Sequence, residues 1–138
     1  MKTSFELEQI LYRTLNVSAI KNAISGGIYL GDTRPVNSDN EDITINTITV
    51  STDACPQTAT SNINVHVPDT DATMSNGKTT KIANRIRLKA LTDKVMSQIR
   101  NASLTGIKIV PTMMSILDES SINQHYANIR VDWNIQID

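Results

Sequence analysis

Along the chain, apolar residues recur every third or fourth position in some stretches and every second position in others, so spacing alone predicts the elements. Near the start, Phe5 or Leu7, Ile10, Leu11 and Leu15 follow the helical period, and Thr3 with Glu6 has capping-box spacing. Residues 4–15 are therefore predicted as an amphipathic helix. Ser18 is placed to cap a short second piece through Ile24, stopped by Gly26-Gly27. Ile28-Tyr29-Leu30 reads as a short strand that Gly31-Asp32-Thr33-Arg34-Pro35 turns away, and residues 36–42 as a polar acidic loop.

The alternation then changes to period two. Ile43, Ile45, Ile48 and Val50 mark a strand whose pattern slips by one between Asn46 and Thr47, which predicts a bulge there. Residues 51–62 read as a polar loop or hairpin tip, and Ile63, Val65 and Val67 as a strand closed by Pro68. A second polar loop, DTDATMSNGK, leads to a long helix capped by Thr79 or Thr80, with Ile82, Ile86, Ala90 or Leu91, Val95 and Ile99 tracing one face. Residues 107–117 and 126–137 are long strands flanking DESSINQH. In the last, Ala127, Ile129, Val131, Trp133, Ile135 and Ile137 face one way; Asn128, Arg130, Asp132, Asn134 and Gln136 face the other. One buried and one wet face is the signature of an antiparallel strand.

Strands that run together with few helices predict an α+β fold: a mainly antiparallel sheet of about five strands, with one long and one or two short helices on one face. No repeat or linker divides residues 1–138, which are expected to form a single domain.

Composition sharpens this reading. Ile (18), Thr (16) and Asn (13) supply about a third of the chain while aromatics are 4%, which favours strands and turns around a small aliphatic core. No apolar run approaches the ~20 residues of a membrane span. The single cysteine, Cys55, excludes an internal disulfide framework and fits a reducing compartment. Glu6, Glu8 and Arg13 interrupt the N-terminal apolar pattern, so it reads as a mature helix rather than a secretory signal. The net charge of -1 hides a segregation: residues 78–100 carry Lys78, Lys81, Arg85, Arg87, Lys89, Lys94 and Arg100 against Asp93 alone.

Those basic residues raise two candidate chemistries. Lys81, Arg85 and Lys89 lie four apart, as a helical stripe able to meet nucleic-acid phosphate, so a nucleic-acid-binding module using helix 78–100 is the alternative functional reading. A solvated helix face balanced by Asp39, Glu41 and Asp42 is the blander one, and it leaves room for charge-complementary association between copies. Residues 72–79, ATMSNGKT, fit a relaxed phosphate-loop pattern ending in Gly77-Lys78-Thr79 between a strand and a helix. Against it stand a loop with a single glycine, the lack of a convincing downstream aspartate, and too little chain for the parallel crossovers such a fold requires.

Other chemistry is weak. His66 lies between Val65 and Val67 and is expected to point away from the core, His125 precedes the last strand, and Cys55 sits in a loop; this is no zinc-ligand spacing. Asp69 and Asp71 begin like a calcium loop that Thr73 breaks. A Cys55–His66 pair lacks a third group, and a triad of a serine with His125 and Asp118 uses residue types common in any loop. The chain is read as no enzyme, with no catalytic, cofactor or metal residues.

The N-terminal helix FELEQILYRTL, then AISGGIYLGDTRP ending in Arg34-Pro35, the strand NINVHVPD, the single long helix of residues 80–101 and the closing DESSINQHYANIRVDWNIQID together resemble the small tail-terminator and tail-completion proteins of long-tailed bacteriophages and prophages. The resemblance spans most of the chain. It implies a non-catalytic subunit of a ring, commonly a hexamer, that caps the tail tube and presents a surface to head-completion proteins. Its expected partners are copies of itself, tail-tube and head-completion proteins, and DNA passing through a ring lumen, without a membrane. The expected location is the bacterial cytoplasm during assembly and then the virion tail or neck. Head-to-tail contacts are expected from basic helix against acidic loop.

Overall fold

The computed structural model describes residues 1–136. Helix α1 (Ser4–Leu15) begins as predicted: the Glu6 carboxylate accepts from the Thr3 backbone N–H at 3.2 Å, closing the first turn. Leu7, Leu11 and Leu15 are buried, whereas Phe5 is 78% exposed, so Leu7 and not Phe5 opens the apolar stripe. The second helix, α2, is shorter than expected, Ser18–Lys21, with Val17 rather than Ser18 at its N-cap.

Five strands, β1 (Ile28–Leu30), β2 (Asp42–Val50), β3 (Gln57–Pro68), β6 (Ile107–Glu119) and β7 (Gln124–Ile135), form one sheet in the order β1-β2-β3-β7-β6. Only β1 and β2 are parallel; every other neighbouring pair is antiparallel. Helices α1 and α3 (Arg85–Arg100) pack on one face, where Leu11, Leu91 and Val95 meet Ile45, Ile63, Val65 and Ile129. The α+β class, the sheet and the helices on it are thus as predicted. The bulge in β2 falls between Thr47 and Thr49, one residue beyond the predicted slip, and Ile48 at the bulge is exposed. In β7, Ala127, Ile129, Val131, Trp133 and Ile135 are all buried, as their alternation predicted; Ile137 lies outside the described residues.

Two segments differ from expectation. Residues 57–62, read as loop, are the first half of β3 and pair with both β2 and β7. Their inward positions are Gln57, Ala59 and Ser61, small or polar, so no apolar alternation marks them. They are buried because each polar group finds a partner: Ser61 Oγ accepts from Trp133 Nε1 at 2.9 Å, and the Gln57 amide donates to the carbonyls of Lys2 and Ser51 at 2.7 and 2.9 Å. The second is the loop-and-helix start of residues 69–84, which is instead a separate hairpin of β4 (Thr70–Thr73) and β5 (Thr79–Ile82). Four β-branched threonines around an Asn-Gly turn suit a strand with two wet faces. Helix α3 begins only at Arg85, capped by Asn84 Oδ1 accepting from the Arg87 N–H at 3.2 Å. Its buried face is Leu88, Leu91, Thr92, Val95 and Ile99; Ile82 and Ile86, predicted on that face, are exposed.

Candidate functional site

The hairpin disposes of the phosphate-loop geometry. Gly77, at φ +83°, sits in the turn between β4 and β5, where its N–H donates to the Met74 carbonyl at 2.9 Å. The Lys78 N–H donates to Asn76 Oδ1 at 3.0 Å, and Lys78 and Thr79 are exposed on the hairpin. A phosphate loop needs backbone amides aimed at the anion from a helix N-terminus, and α3 starts six residues after Thr79.

The predicted basic stripe is broken in the same way. Lys81 lies on β5, where it pairs with Asp71 at 2.8 Å, and that partner holds its pKa above the ordinary lysine value. Lys89 pairs with Asp93 at 2.5 Å. Arg87 forks onto both oxygens of Glu41 at 2.7 Å and donates to the Ala23 carbonyl at 2.8 Å. The basic helix and the acidic loop thus meet within one chain through Arg87 and Glu41, which ties the end of the 31–41 segment to α3.

The most developed constellation of polar side chains lies on the sheet face opposite the helices. The Asp42 side chain, fully buried, accepts from Arg34 Nε at 2.8 Å, Ser38 Oγ at 2.6 Å and the Gly27 N–H at 2.9 Å. Arg34 also donates to Gln124 Oε1 at 2.8 Å and to the Asn40 carbonyl at 3.3 Å, while the Gln124 amide donates to the Ser38 carbonyl. Burial opposes ionisation of Asp42, but the hydrogen bonds from Ser38, Arg34 and Gly27 outweigh it and hold the carboxyl below its ordinary value.

His66, expected to point away from the core, is on that outer face yet buried in this cluster, with its ring 5.3 Å from that of Tyr126. Its Nε2 lies 2.9 Å from Thr44 Oγ1 and its Nδ1 2.8 Å from Glu119 Oε1 and 3.2 Å from Arg34 Nη1. Burial, reinforced by the Arg34 charge, lowers its pKa against the opposing pull of Glu119. A neutral ring then satisfies both nitrogens with the hydrogen on Nδ1, donated to Glu119, and Nε2 accepting from Thr44. Asp42, Arg34, Gln124 and both His66 nitrogens all have partners inside the cluster, and the Glu119 carboxylate, about a third exposed, is at its solvent side. It is a clasp that fixes the segment around Arg34 over β2, β3, β7 and β6.

The remaining candidates do not converge. His125 Nδ1 lies 2.6 Å from Asp69 Oδ1, not on a serine. Cys55 is exposed before β3, and His66 lies near the other end of that strand, nine residues beyond Gln57 and so about 30 Å along it. Among the described residues no three His, Cys, Asp or Glu side chains group as metal ligands, and no helix is long and apolar enough to cross a membrane.

What is open is the outer edge of β6. Val110, Met113, Met114, Ile116 and Leu117 are all exposed along it, Met113 by 64%. On the helix side a groove of about 390 Å³ runs between β6 and α3, lined by Arg85, Ile86, Leu88, Thr92, Met114 and Ile116. Ile86 is 83% exposed on its rim, and the buried Thr92 hydroxyl at its floor has no hydrogen-bond partner among the described residues. Met114 and Ile116 share the helix face with Ile129 and Ala127, and Val110, Met113 and Leu117 stand on the other face, so the edge is apolar on both sides. Which strand lies outermost is not legible in the sequence, because strand order is not written in the alternation.

No family model and no curated protein sequence matches the chain. Among solved structures, it is similar to a chain of the virion of a native gene transfer agent particle, with 11% sequence identity and a TM-score of 0.63. The likeness covers 97% of this chain and 96% of that one. At that identity it shows a shared fold over nearly the full length of both chains.

Proposed function

We propose that the chain is a non-catalytic structural subunit of a phage or prophage tail or neck, working as one domain. In this reading it forms a homo-oligomeric ring, of six copies as in tail terminators, that caps the tail tube and meets tail-tube and head-completion proteins. DNA would pass through the lumen, and the protein would move from the bacterial cytoplasm into the virion. The observation that carries the reading is the end-to-end fold likeness to a virion chain. The exposed apolar edge of β6 supports it.

The nucleic-acid reading loses its continuous stripe of Lys81, Arg85 and Lys89, because Lys81 lies on β5 rather than α3 and Lys81 and Lys89 are each paired with an acid within the chain. The test is mass. Sedimentation of the purified protein across concentration is expected to give a defined multiple of 15.2 kDa, and electron micrographs a closed ring with a central pore. A mass of one chain at every concentration, with and without tail tubes, would overturn the proposal.

A further inference from the structure

The sheet has two free edges, β1 and β6, and they run in opposite directions. Taking β1 as up, β2 is up by parallel pairing, β3 down, β7 up and β6 down. Two copies set side by side in the same orientation therefore bring β6 of one against β1 of the next as antiparallel neighbours, the stronger ladder. Such a contact joins two different surfaces and keeps every sheet facing the same way, so it propagates head to tail and closes into a ring when the rotation per copy permits.

The two edges are complementary in charge. Lys108 stands at the start of β6 and Asp118 near its end; Lys21 precedes β1 and Asp32 follows it, and all four are exposed. Antiparallel apposition turns the Lys108 end of β6 toward the neighbour's Asp32, just after β1, and the Asp118 end toward its Lys21, which lies by the start of β1. None of the four enters an ion pair within the chain among the described residues. Between the charges, β6 offers Thr112-Met113-Met114-Ser115-Ile116-Leu117, an uncharged run beyond Pro111, which has no N–H to give. That run is longer than the three residues of β1. Beside β1 lies a depression of about 290 Å³ of mixed polar and apolar lining, with Tyr12, Asn16, Lys21, Ile24, Ile28 and Tyr29 around it, open to receive a side chain from the neighbour. Because α1 packs beside β1 on the helix face, the same apposition brings the neighbour's N-terminal helices toward the α3–β6 groove.

We propose that the outer edge of β6 pairs with the β1 edge of a second copy, making one sheet continuous around the assembly. This rests on the ring-subunit reading and specifies which surfaces make the ring. The test is a charge swap read by sedimentation at low salt, with thermal melting followed by circular dichroism to show that each variant is folded. Lys108→Asp and Asp32→Lys, both on exposed positions, are each expected to raise the concentration for half-assembly about tenfold, and the double variant to recover most of it. Asp118→Lys with Lys21→Asp reports on the other end of the contact in the same way. If the wild-type protein assembles but neither single reversal weakens it, or neither double recovers, the edge pairing is overturned while the ring-subunit reading stands. If the wild-type protein remains a single chain at all concentrations, with and without tail tubes, both are overturned.

Discussion

Two regions of the same sheet invert the usual partition of side chains, in opposite senses. Around Asp42, charged and polar groups are buried and spend their hydrogen bonds on one another; along β6, methionines, leucine and isoleucine stand in water. The first region is complete within one chain, and the second has a use only if something covers it. A buried charge is tolerated when its partners are fixed, so the clasp reports on the fold. An exposed apolar edge costs the monomer little and favours association, so it reports on assembly. Substitutions in the two regions should therefore separate stability from oligomeric state.

The largest expected effect is in the clasp. Arg34→Ala leaves the Asp42 carboxylate buried without its cation and Gln124 Oε1 without its donor, and should cost about 3–5 kcal/mol, the usual result of removing one partner of a buried pair. Urea unfolding checks this: the midpoint should fall with little change in slope. Arg34→Lys should recover only part of the loss, since an ammonium cannot span Asp42, Asn40 and Gln124 at once. A loss within 0.5 kcal/mol, about that of an ordinary surface substitution, would mean the clasp is not what holds the segment.

Next in size is the response to pH. The folded His66 pKa is lowered from 6.5, so as pH falls below that value the unfolded chain takes up the proton first and stability is lost through the lowered folded pKa. Asp42 acts in the same direction at more acid pH: its folded pKa is lowered from 3.8, so its contribution is present above that value and lost as pH falls through the folded one. Urea midpoints should therefore be higher at neutral pH than in mild acid, and His66→Gln, which cannot titrate, should narrow the gap. An unchanged gap would assign the mild-acid loss to another group.

The clasp and the edge also differ in how far the sequence announces them. Strand β7 is legible because Ala127 through Ile135 alternate without interruption, and α1 because Leu7, Leu11 and Leu15 keep helical spacing beside a capping box. The first half of β3 is hidden because Ala59 and Ser61 fill inward positions under Trp133, where a larger side chain would clash with its neighbours. The β4–β5 hairpin is hidden because both its faces are wet, so threonines replace the alternation. The clasp has no local signature at all. Arg34 meets Gln124 across ninety positions of chain, and only the strand order brings β2, β3, β7 and β6 under it. The edge is half legible: the run Met113 to Leu117 is plainly apolar, but that β6 is outermost follows from β7 inserting between it and β3.

On the edge itself, Met113→Ser removes a side chain that already faces water in the single chain, so its unfolding free energy should stay within about 0.5 kcal/mol of wild type. The same change should lower the assembled fraction in sedimentation. Stability and assembly falling together would show instead that Met113 packs within its own chain.

The smallest expected effect belongs to Lys78. Its side chain is exposed beyond the Asn76-Gly77 turn, and its backbone N–H is already taken by Asn76 Oδ1. Lys78→Ala should leave the melting temperature unchanged, and neither form should be stabilised by Mg-ATP or Mg-GTP, because a ligand that binds the folded state raises its melting temperature by an amount that grows with the logarithm of its concentration over its Kd. A nucleotide-dependent rise lost in Lys78→Ala would restore the phosphate reading and require the hairpin to rearrange. The geometry argues otherwise: the pattern ATMSNGKT places its glycine and lysine in a β-turn, where the amides that would cradle a phosphate are bonded to Met74 and Asn76. The same letters that open a helix in one context close a hairpin here, and the choice is made by the threonines on either side, which favour extended backbone over a helical first turn.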